Sequence, residues 1–295
     1  MREIPWSIPR RYLRLRLFDG RKTLSERRVL SNLDERFKVS GNISASVSGA
    51  ASEANITIGG LKRDTMVFLA TNFSTWTKNQ IQNEVNLDIG YDNNHAIMFV
   101  GSIIDAVPKM DTQDYSIQLK CLSQFPKMLN DLQSLSFSGN VTVAQIAKNI
   151  ASILGYTLRI TNAASVFTVN NYSLSNQPIQ NHLRYLSELT GLQAYIEQDT
   201  VIVKKRNETL RVPTRYKIDS NNMIGAPRPT NSGTVVKVKL DPRLRTGIEA
   251  VLNSQKFPTL NDGEYSIATI GTVFDTRGND WYNELTLMRK DIYTL

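Results

Sequence analysis

A chain of 295 residues is longer than one small core can fill, because single hydrophobic cores stop growing near about 250–300 residues, so two or three domains are expected. Hydrophobic residues at 41% and charged residues at 21% are ordinary for a globular protein and exclude wholesale disorder or a fibrous repeat. The formal charge of +8 and pI near 9.5 invite a nucleic-acid reading, which the distribution of charge has to support.

Nine Arg or Lys (Arg2, Arg10, Arg11, Arg14, Arg16, Arg21, Lys22, Arg27, Arg28) stand against Glu3, Asp19 and Glu26 in the first thirty residues. The opening Met1-Arg2-Glu3-Ile4-Pro5-Trp6 lacks the apolar centre of a signal peptide. No apolar run reaches the length of about 18 residues that crosses a bilayer. Neither a membrane-spanning helix nor secretory export is expected, and the Asn-x-Ser/Thr triplets at Asn42, Asn55, Asn72, Asn140, Asn171 and Asn207 then reflect composition alone.

Period-two alternation over Arg11 to Leu17 predicts a strand, ended by Asp19-Gly20, with Leu13, Leu15 and Leu17 inward and Tyr12, Arg14 and Arg16 outward. That basic face is read as meeting solvent or an acidic neighbouring subunit, since the interleaved aromatics of a single-strand groove are missing. Further strands are predicted over Phe37–Ser48, Asn55–Ile58, Asn86–Ile89, Ala96–Ile104 and Tyr115–Leu122, with a short helix over Leu61–Leu69 and a turn at Asp92-Asn93-Asn94. Short strands between polar turns indicate a small barrel or sandwich.

After Pro126 the period changes. Thr142-Val143-Ala144-Gln145 is a capping box opening a helix to Leu154, with Val143, Ile146, Ala147, Ile150, Ile153 and Leu154 on its inner face and Gly155 beyond its end. A second helix, Pro178 to Leu189, points Ile179, Leu183, Leu186 and Leu189 inward and stops before Gly191. It leads into a hairpin of Gln193–Glu197 and Thr200–Lys204 across Gln198-Asp199. From Asn207 a Pro- and Gly-containing crossover leads to strands at Thr234–Leu240, Tyr265–Val273 and Trp281–Leu287.

One internal similarity links the two ends of the chain. Ile103 precedes Asp111-Thr112 by eight residues and Asp114-Tyr115 opens a strand; Ile267 precedes Asp275-Thr276 by the same eight and Asp280-Trp281 opens another. Two copies of one β module flanking a helical insertion would produce it.

Catalytic constellations are sparse. Cys121 lies in an alternating segment and reads as a small strand residue, and with only His95 and His182 besides it, no structural zinc site can be assembled. Neither histidine belongs to a nucleophile motif; His182 reads as a packing or surface residue. No P-loop, His-Glu-x-x-His or Gly-x-Gly-x-x-Gly occurs, and Asn261-Asp262-Gly263 reads as a turn. Two carboxylate pairs, Asp275 with Asp280 and Glu249 with Glu264, are the candidates for a cell-wall hydrolase. Asp at strand ends commonly serves local backbone hydrogen bonding instead. No catalytic residue, metal or cofactor is assigned.

Asp241-Pro242-Arg243-Leu244-Arg245-Thr246-Gly247, Asn261-Asp262-Gly263-Glu264-Tyr265 and Asp275-Thr276-Arg277-Gly278-Asn279-Asp280-Trp281, in that order and spacing, resemble the C-terminal region of baseplate hub proteins of contractile-tailed bacteriophages. Thr272 stands where many of these have His, and Phe274 where Gly is usual. The resemblance implies an α+β, β-rich chain with two tail-tube-like β-barrel modules, residues 1–125 and 207–295, around an α/β insertion at 126–206. Residues 208–232 are left open to return to the first module. It further implies a non-enzymatic homotrimer in the virion, assembled in the host cytoplasm, that joins the tail tube protein to a central spike protein and leaves a bore for DNA in transit. The tape-measure protein and other baseplate proteins complete the implied partners. Tyr12, Arg14, Arg16, Arg277 and Trp281 are the expected assembly surface. A tail-associated cell-wall hydrolase and a basic nucleic-acid-binding module are the alternatives.

Overall fold

The protein is described by a computed structural model covering residues 9–18, 29–46, 51–72, 83–110, 115–123, 132–197, 200–205, 208, 215–231, 233–254 and 262–289. The turns expected at Asp19-Gly20, Asp111-Thr112 and Gln198-Asp199, and the basic residues Arg2, Arg21, Lys22, Arg27 and Arg28, lie outside the described residues. The architecture is α+β and β-rich.

The first β unit contains β1 (Arg11–Phe18), β2 (Val29–Asp34), β3 (Lys38–Ser46), β4 (Glu53–Gly59), helix α1 (Arg63–Asn72), β5 (Glu84–Tyr91), β6 (Asn94–Met110) and β7 (Tyr115–Leu122). Its spatial order is β3-β4-β7-β6-β5-β1-β2, antiparallel throughout. Alternation does what the sequence predicts: Leu13, Leu15 and Leu17 of β1 are fully buried with Ile56, Ile58, Leu87, Ile89, Ile117 and Leu119. Each such aliphatic side chain contributes about 1.5–3 kcal/mol over remaining exposed. Cys121 belongs to the same core, where burial pushes its thiol far above the ordinary range.

Between the β units lie β8 (Leu132–Thr142), α2 (Val143–Leu154), β9 (Thr157–Ile160), α3 (Asn162–Ser165), β10 (Thr168–Pro178), α4 (Ile179–Thr190), β11 (Gln193–Glu197) and β12 (Thr200–Lys204). The Thr142 hydroxyl accepts from the Gln145 amide N–H, Gln145 Oε1 accepts from the Thr142 N–H, and Gly155 and Gly191 close the two helices in left-handed conformation. β11, β12 and β9 form a separate sheet on which the helices pack around a second core.

Two details differ from the sequence reading. Ile153 and Leu189, expected inward, are 39% and 46% exposed: each sits in the last turn on the shoulder of its buried stripe, about 60° from the buried residue one turn earlier, Ile150 and Leu186. The segment around 132–142, with no assigned structure in the sequence reading, is a long strand paired with β10. His182 is buried between them: its ring nitrogens lie 3.1 Å from the Tyr172 hydroxyl and 3.1 Å from the Gln133 carbonyl oxygen.

The second β unit holds β13 (Tyr216–Ile218), β14 (Met223–Thr230), β15 (Gly233–Lys239), β16 (Glu249–Leu252), β17 (Gly263–Asp275) and β18 (Trp281–Arg289). The stretch read as a crossover thus contains two strands, and both pair within this unit: β13 with β16 and β14 with β15. The order β14-β15-β18-β17-β16 repeats β3-β4-β7-β6-β5 in space and in chain order. Register repeats as well. β6 shifts by one against β7 between Ile103 and Asp105, and β17 shifts by one against β18 between Ile267 and Thr269. Ile103 donates its N–H to the Asn83 carbonyl at 2.9 Å, and Ile267 donates to the Ile248 carbonyl at 3.0 Å. Glu84 faces Ser102, and Glu249 faces Ser266. A shared strand order, bulge and pairing frame make the two units copies of one plan. The copies differ at their first strand, since β1 runs antiparallel to β5 whereas β13 runs parallel to β16.

Candidate assembly interface

The two β units share one sheet. β17 has thirteen residues, enough to pair with β16 at its start and, past the bulge, with β3 of the first unit from Thr269 opposite Ser46 to Asp275 opposite Ser40. The resulting sheet has thirteen strands among the described residues. Three second-unit residues, Leu240, Phe274 and Trp281, bury themselves in the core of the first.

Phe274 and Gly41 are opposite each other in that seam. A Cβ on Gly41 would lie 2.2 Å from the Asn55 carbonyl oxygen and 3.0 Å from Phe274 Cζ, so the ring occupies space that only glycine leaves open. The phenylalanine that departs from the hub pattern is accommodated by this glycine of the partner strand. Thr272, the other departure, is buried and accepts a 2.7 Å hydrogen bond from Asn283 Nδ2.

The turn after β17 is pinned to the first unit by its own motif. Thr276 exchanges backbone bonding with Val39, donating its N–H to that carbonyl at 3.0 Å, while its hydroxyl accepts from the Val39 N–H at 2.9 Å and donates to the Phe37 carbonyl at 2.6 Å. Arg277 donates to the Arg36 carbonyl. From β1, Arg11 Nη1 reaches the carbonyls of Asp275 at 3.0 Å and Gly278 at 2.6 Å, Nη2 reaches Asn279 at 3.4 Å, and the guanidinium carbon stands 5.3 Å from the Trp281 ring centroid.

The loop between β15 and β16 joins all three units. Asp241 holds Arg243 through Oδ1 at 3.0 Å and Oδ2 at 2.7 Å, and accepts a side-chain hydrogen bond from Asn94 of the first unit. Burial alone would raise its carboxyl, but the guanidinium fork and these hydrogen bonds hold it below the usual range. Five residues after Asp241, Thr246 donates its N–H at 3.1 Å and its hydroxyl at 3.0 Å to Glu197 Oε1 on β11 of the insertion. Burial pushes Glu197 up, and burial likewise lowers Arg245 beside it.

The residues expected on the assembly surface fall into two groups. Arg277 and Trp281 serve the seam inside one chain; Trp281 is only 5% exposed, so its ring is a buried contact between units and no outer face. Tyr12, Arg14 and Arg16 share the outer side of β1. Tyr12 stacks on His95 at 3.9 Å, His95 bonds Asp88 at 3.0 Å, and Arg14 stands in register between Asp34 and Asp88. Acidic cross-strand neighbours thus dilute the basic face. The two groups are not brought together, and Arg11 and Gly41, central to the seam, were missed; both belong to strands read correctly, but nothing local marks their partners, which are more than two hundred residues away.

Both carboxylate pairs have local structural partners. Asp275 Oδ1 accepts the Arg277 N–H at 2.8 Å and organises its turn, while Glu249 and Glu264 share one guanidinium, Arg215, at 3.1 and 2.8 Å. Among the described residues no group of three His, Cys, Asp or Glu could hold a metal, and no helix is long and apolar enough to cross a membrane.

The first unit displays the counterpart of this seam without an occupant. By the shared register, Asp105 to Met110 of β6 correspond to Thr269 to Phe274 of β17, and Tyr115 corresponds to Trp281. Among the described strands that part of β6 pairs only with β7, and Tyr115 is 61% exposed where Trp281 is buried. β14, the counterpart of β3, is the terminal strand of the sheet among the described strands and exposes Ile224.

Comparison with known proteins gives the same family that the motifs suggest. The sequence matches the family described as Baseplate hub gp41 over residues 21–286. The fold is similar to the 43 kDa tail protein of prophage MuSo2 from Shewanella oneidensis, with a TM-score of 0.64 at 11% identity over 95% of this chain and 98% of that one. It is similar to the tail protein from Neisseria meningitidis MC58, with 0.65 at 10% over 95% and 97%. The E. coli c3393 protein, a component of the type VI secretion system that exhibits structural similarity to T4 bacteriophage tail proteins gp27 and gp5, aligns with 0.51 at 10% over 85% of this chain and 73% of its own. At such identities the likeness is one of fold. No curated protein matches significantly.

Proposed function

This chain belongs to the baseplate hub gp41 family, and from that premise we propose that it works by assembling with itself, three copies closing a ring whose six β units imitate a sixfold tube. The ring joins the hexameric tail tube to a trimeric central spike, leaves a bore for DNA, and acts in the virion without catalysis. The module limits go with this reading: 1–125 and 207–295 in the ring wall and 126–206 outside it.

The observation that carries the reading is the unequal use of two equivalent seams. Within one chain the late half of β17 covers β3; the late half of β6 and the edge of β14 are the same elements left over, and pairing them between chains repeats the operation until it closes. The leftover edges are less perfect ladders. Pro108 on β6 and Pro227 and Pro229 on β14 have no N–H to donate, which also keeps single chains from pairing indiscriminately. Side chains therefore do more of the work there, and Val107, Tyr115 and Ile224 are among the exposed large apolar residues of the molecule.

Cysteine pairs test it. By register, Val107 meets the segment Arg228 to Thr230 of the next chain. Oxidising V107C/R228C and V107C/T230C chains, in the presence of tube and spike proteins, is expected to give a ladder ending at a covalent trimer. Bridges confined to dimers, or none while native mass stays that of a monomer, overturn the ring.

A further inference from the structure

The insertion meets the second β unit with the face of its three-stranded sheet that the helices leave bare. Ala194 and Ile196 of β11 belong to the insertion's own core, so the alternate residues Gln193, Tyr195 and Glu197 point the other way, toward the loop between β15 and β16. Ile202 of β12 stands in register with Tyr195 and with Arg159 of β9, and Tyr195 and Ile202 form a small buried pair outside the three larger cores. Apolar burial on the insertion's side of this junction is therefore slight, and polar contacts carry it. Glu197 Oε1 accepts both Thr246 bonds, while Arg245 directs Nη1 to the carbonyls of Pro242 and Leu244 in its own loop, at 2.7 Å each, and acts on Glu197 through its charge. The Tyr195 hydroxyl is buried there without a hydrogen-bond partner. A buried hydroxyl in that state destabilises the contact and is relieved when water reaches it.

We propose that the insertion is an arm latched to the second β unit at Glu197, and that a proton taken up by Glu197 fastens the latch. The neutral carboxyl keeps an oxygen to accept the Thr246 N–H and gains a proton to donate to the Thr246 hydroxyl, and Arg245 stays satisfied by its own loop. The charged carboxylate is disfavoured there: burial outweighs the two Thr246 bonds and the charges of Arg245 and Arg159, and holds Glu197 above the ordinary carboxylate value. A released Glu197 returns to water and to that ordinary value. Docking is then strongest below the ordinary value, weakens as pH rises through the raised one, and is weakest above it. The other groups at the junction keep their charge across that interval. Arg245 stays cationic although burial lowers it, Asp241 is held ionised against its burial by the Arg243 fork, and burial keeps Tyr195 neutral. Lys204, opposite Gln193 at the far end of the same face, is lowered by burial to about 8, so Glu197 is read at about pH 7 and below.

Spin labels on Val166→Cys of the insertion and Lys217→Cys of β13, both exposed positions, read the distance between the arm and the second unit by pulsed dipolar spectroscopy. The full chain is used, diluted with unlabelled chain, and Cys121 is buried and stays unlabelled. One narrow distance is expected to dominate at about pH 4.5, and a longer one to gain about threefold or more in share by about pH 7. Glu197→Gln, which carries a neutral group of the same shape, should keep the narrow distance at both values. The reading is overturned by a native distance that ignores pH, by a Glu197→Gln chain that responds as the native one does, or by one released at both values. Hydrogen exchange over α2 should stay slow throughout; opening of α2 with pH would mean unfolding of the insertion, which also overturns the latch. The distance is read within one chain, so either result leaves the ring untouched.

Discussion

Arg11 is the seam's most exacting test, since one side chain of the first strand holds a turn more than 260 residues later. Its guanidinium makes two well-formed bonds, at 3.0 and 2.6 Å, a long one at 3.4 Å, and a ring contact at 5.3 Å. Bonds from a charged donor contribute about 1.5–3 kcal/mol when buried; at a half-exposed site we take about 1 kcal/mol for each good bond. The ring adds about 0.5–1 kcal/mol. Arg11→Ala should therefore lose about 2–3 kcal/mol. Arg11→Lys should recover less than half, because a single ammonium cannot fork between two carbonyls. Urea denaturation reads the sum, and hydrogen exchange locates it: the β17–β3 ladder and the Asp275–Asn279 turn should open first while the insertion stays protected. A loss under about 0.5 kcal/mol with unchanged exchange in the turn, or full rescue by lysine, would refute the account.

Three further outcomes follow from local geometry. Gly41→Ala should destabilise by about 1–3 kcal/mol in chemical denaturation, and adding Phe274→Leu should not restore it, since the nearest clash is with the Asn55 backbone. Lys204, 1% exposed, is lowered by burial to about 8 against an ordinary 10.5, so its charged form is resisted in the fold. The cost is fully present below about pH 8 and fades as pH rises toward the ordinary amine range; Lys204→Met should thus gain about 1–3 kcal/mol at pH 7, less the lost 2.8 Å bond to the Glu208 carbonyl, and the gain should shrink by pH 10 in thermal melts. Thr142→Ala should cost about 1 kcal/mol through the lost capping box, visible as faster exchange in the first turn of α2, and Thr142→Ser should restore it.

Legibility followed the range of the interactions. β1, the capping box of α2 and the β11–β12 hairpin are specified by neighbours within a few residues, and they lie where alternation, Thr142-x-x-Gln145 and the paired apolar runs put them. The β8–β10 ribbon was not legible, because its apolar signal is thin: of eleven residues in β8, only Leu135 and Val141 are buried, so the strand exists through pairing and not through a buried face. β14 is hidden for the same reason, with Pro227 alone buried on an edge otherwise half or fully open. Ile153 and Leu189 show the converse error. Helical spacing puts them near the stripe, but the width of the buried face is set by the elements packed on it.

The seam shows why a motif can be visible while its work is not. The string Asp275 to Trp281 stands out in the sequence, and an exposed assembly surface is the natural reading of an Arg and a Trp beside a turn. Yet the same pattern in the first unit puts Tyr115 at the equivalent position, and there the ring is open to solvent. Nothing in either string decides which copy is covered. Connectivity decides it: after the bulge at Ala268 the long strand β17 passes alongside β3, while the matching half of β6 meets, among the described strands, only β7. Two near-identical edges with opposite burial are therefore a property of how one chain orders its duplicated units. The residues that distinguish the edges are Gly41 beneath Phe274 on one side, where the ladder is tight, and Pro108 and Pro229 on the other, where the backbone lacks donors.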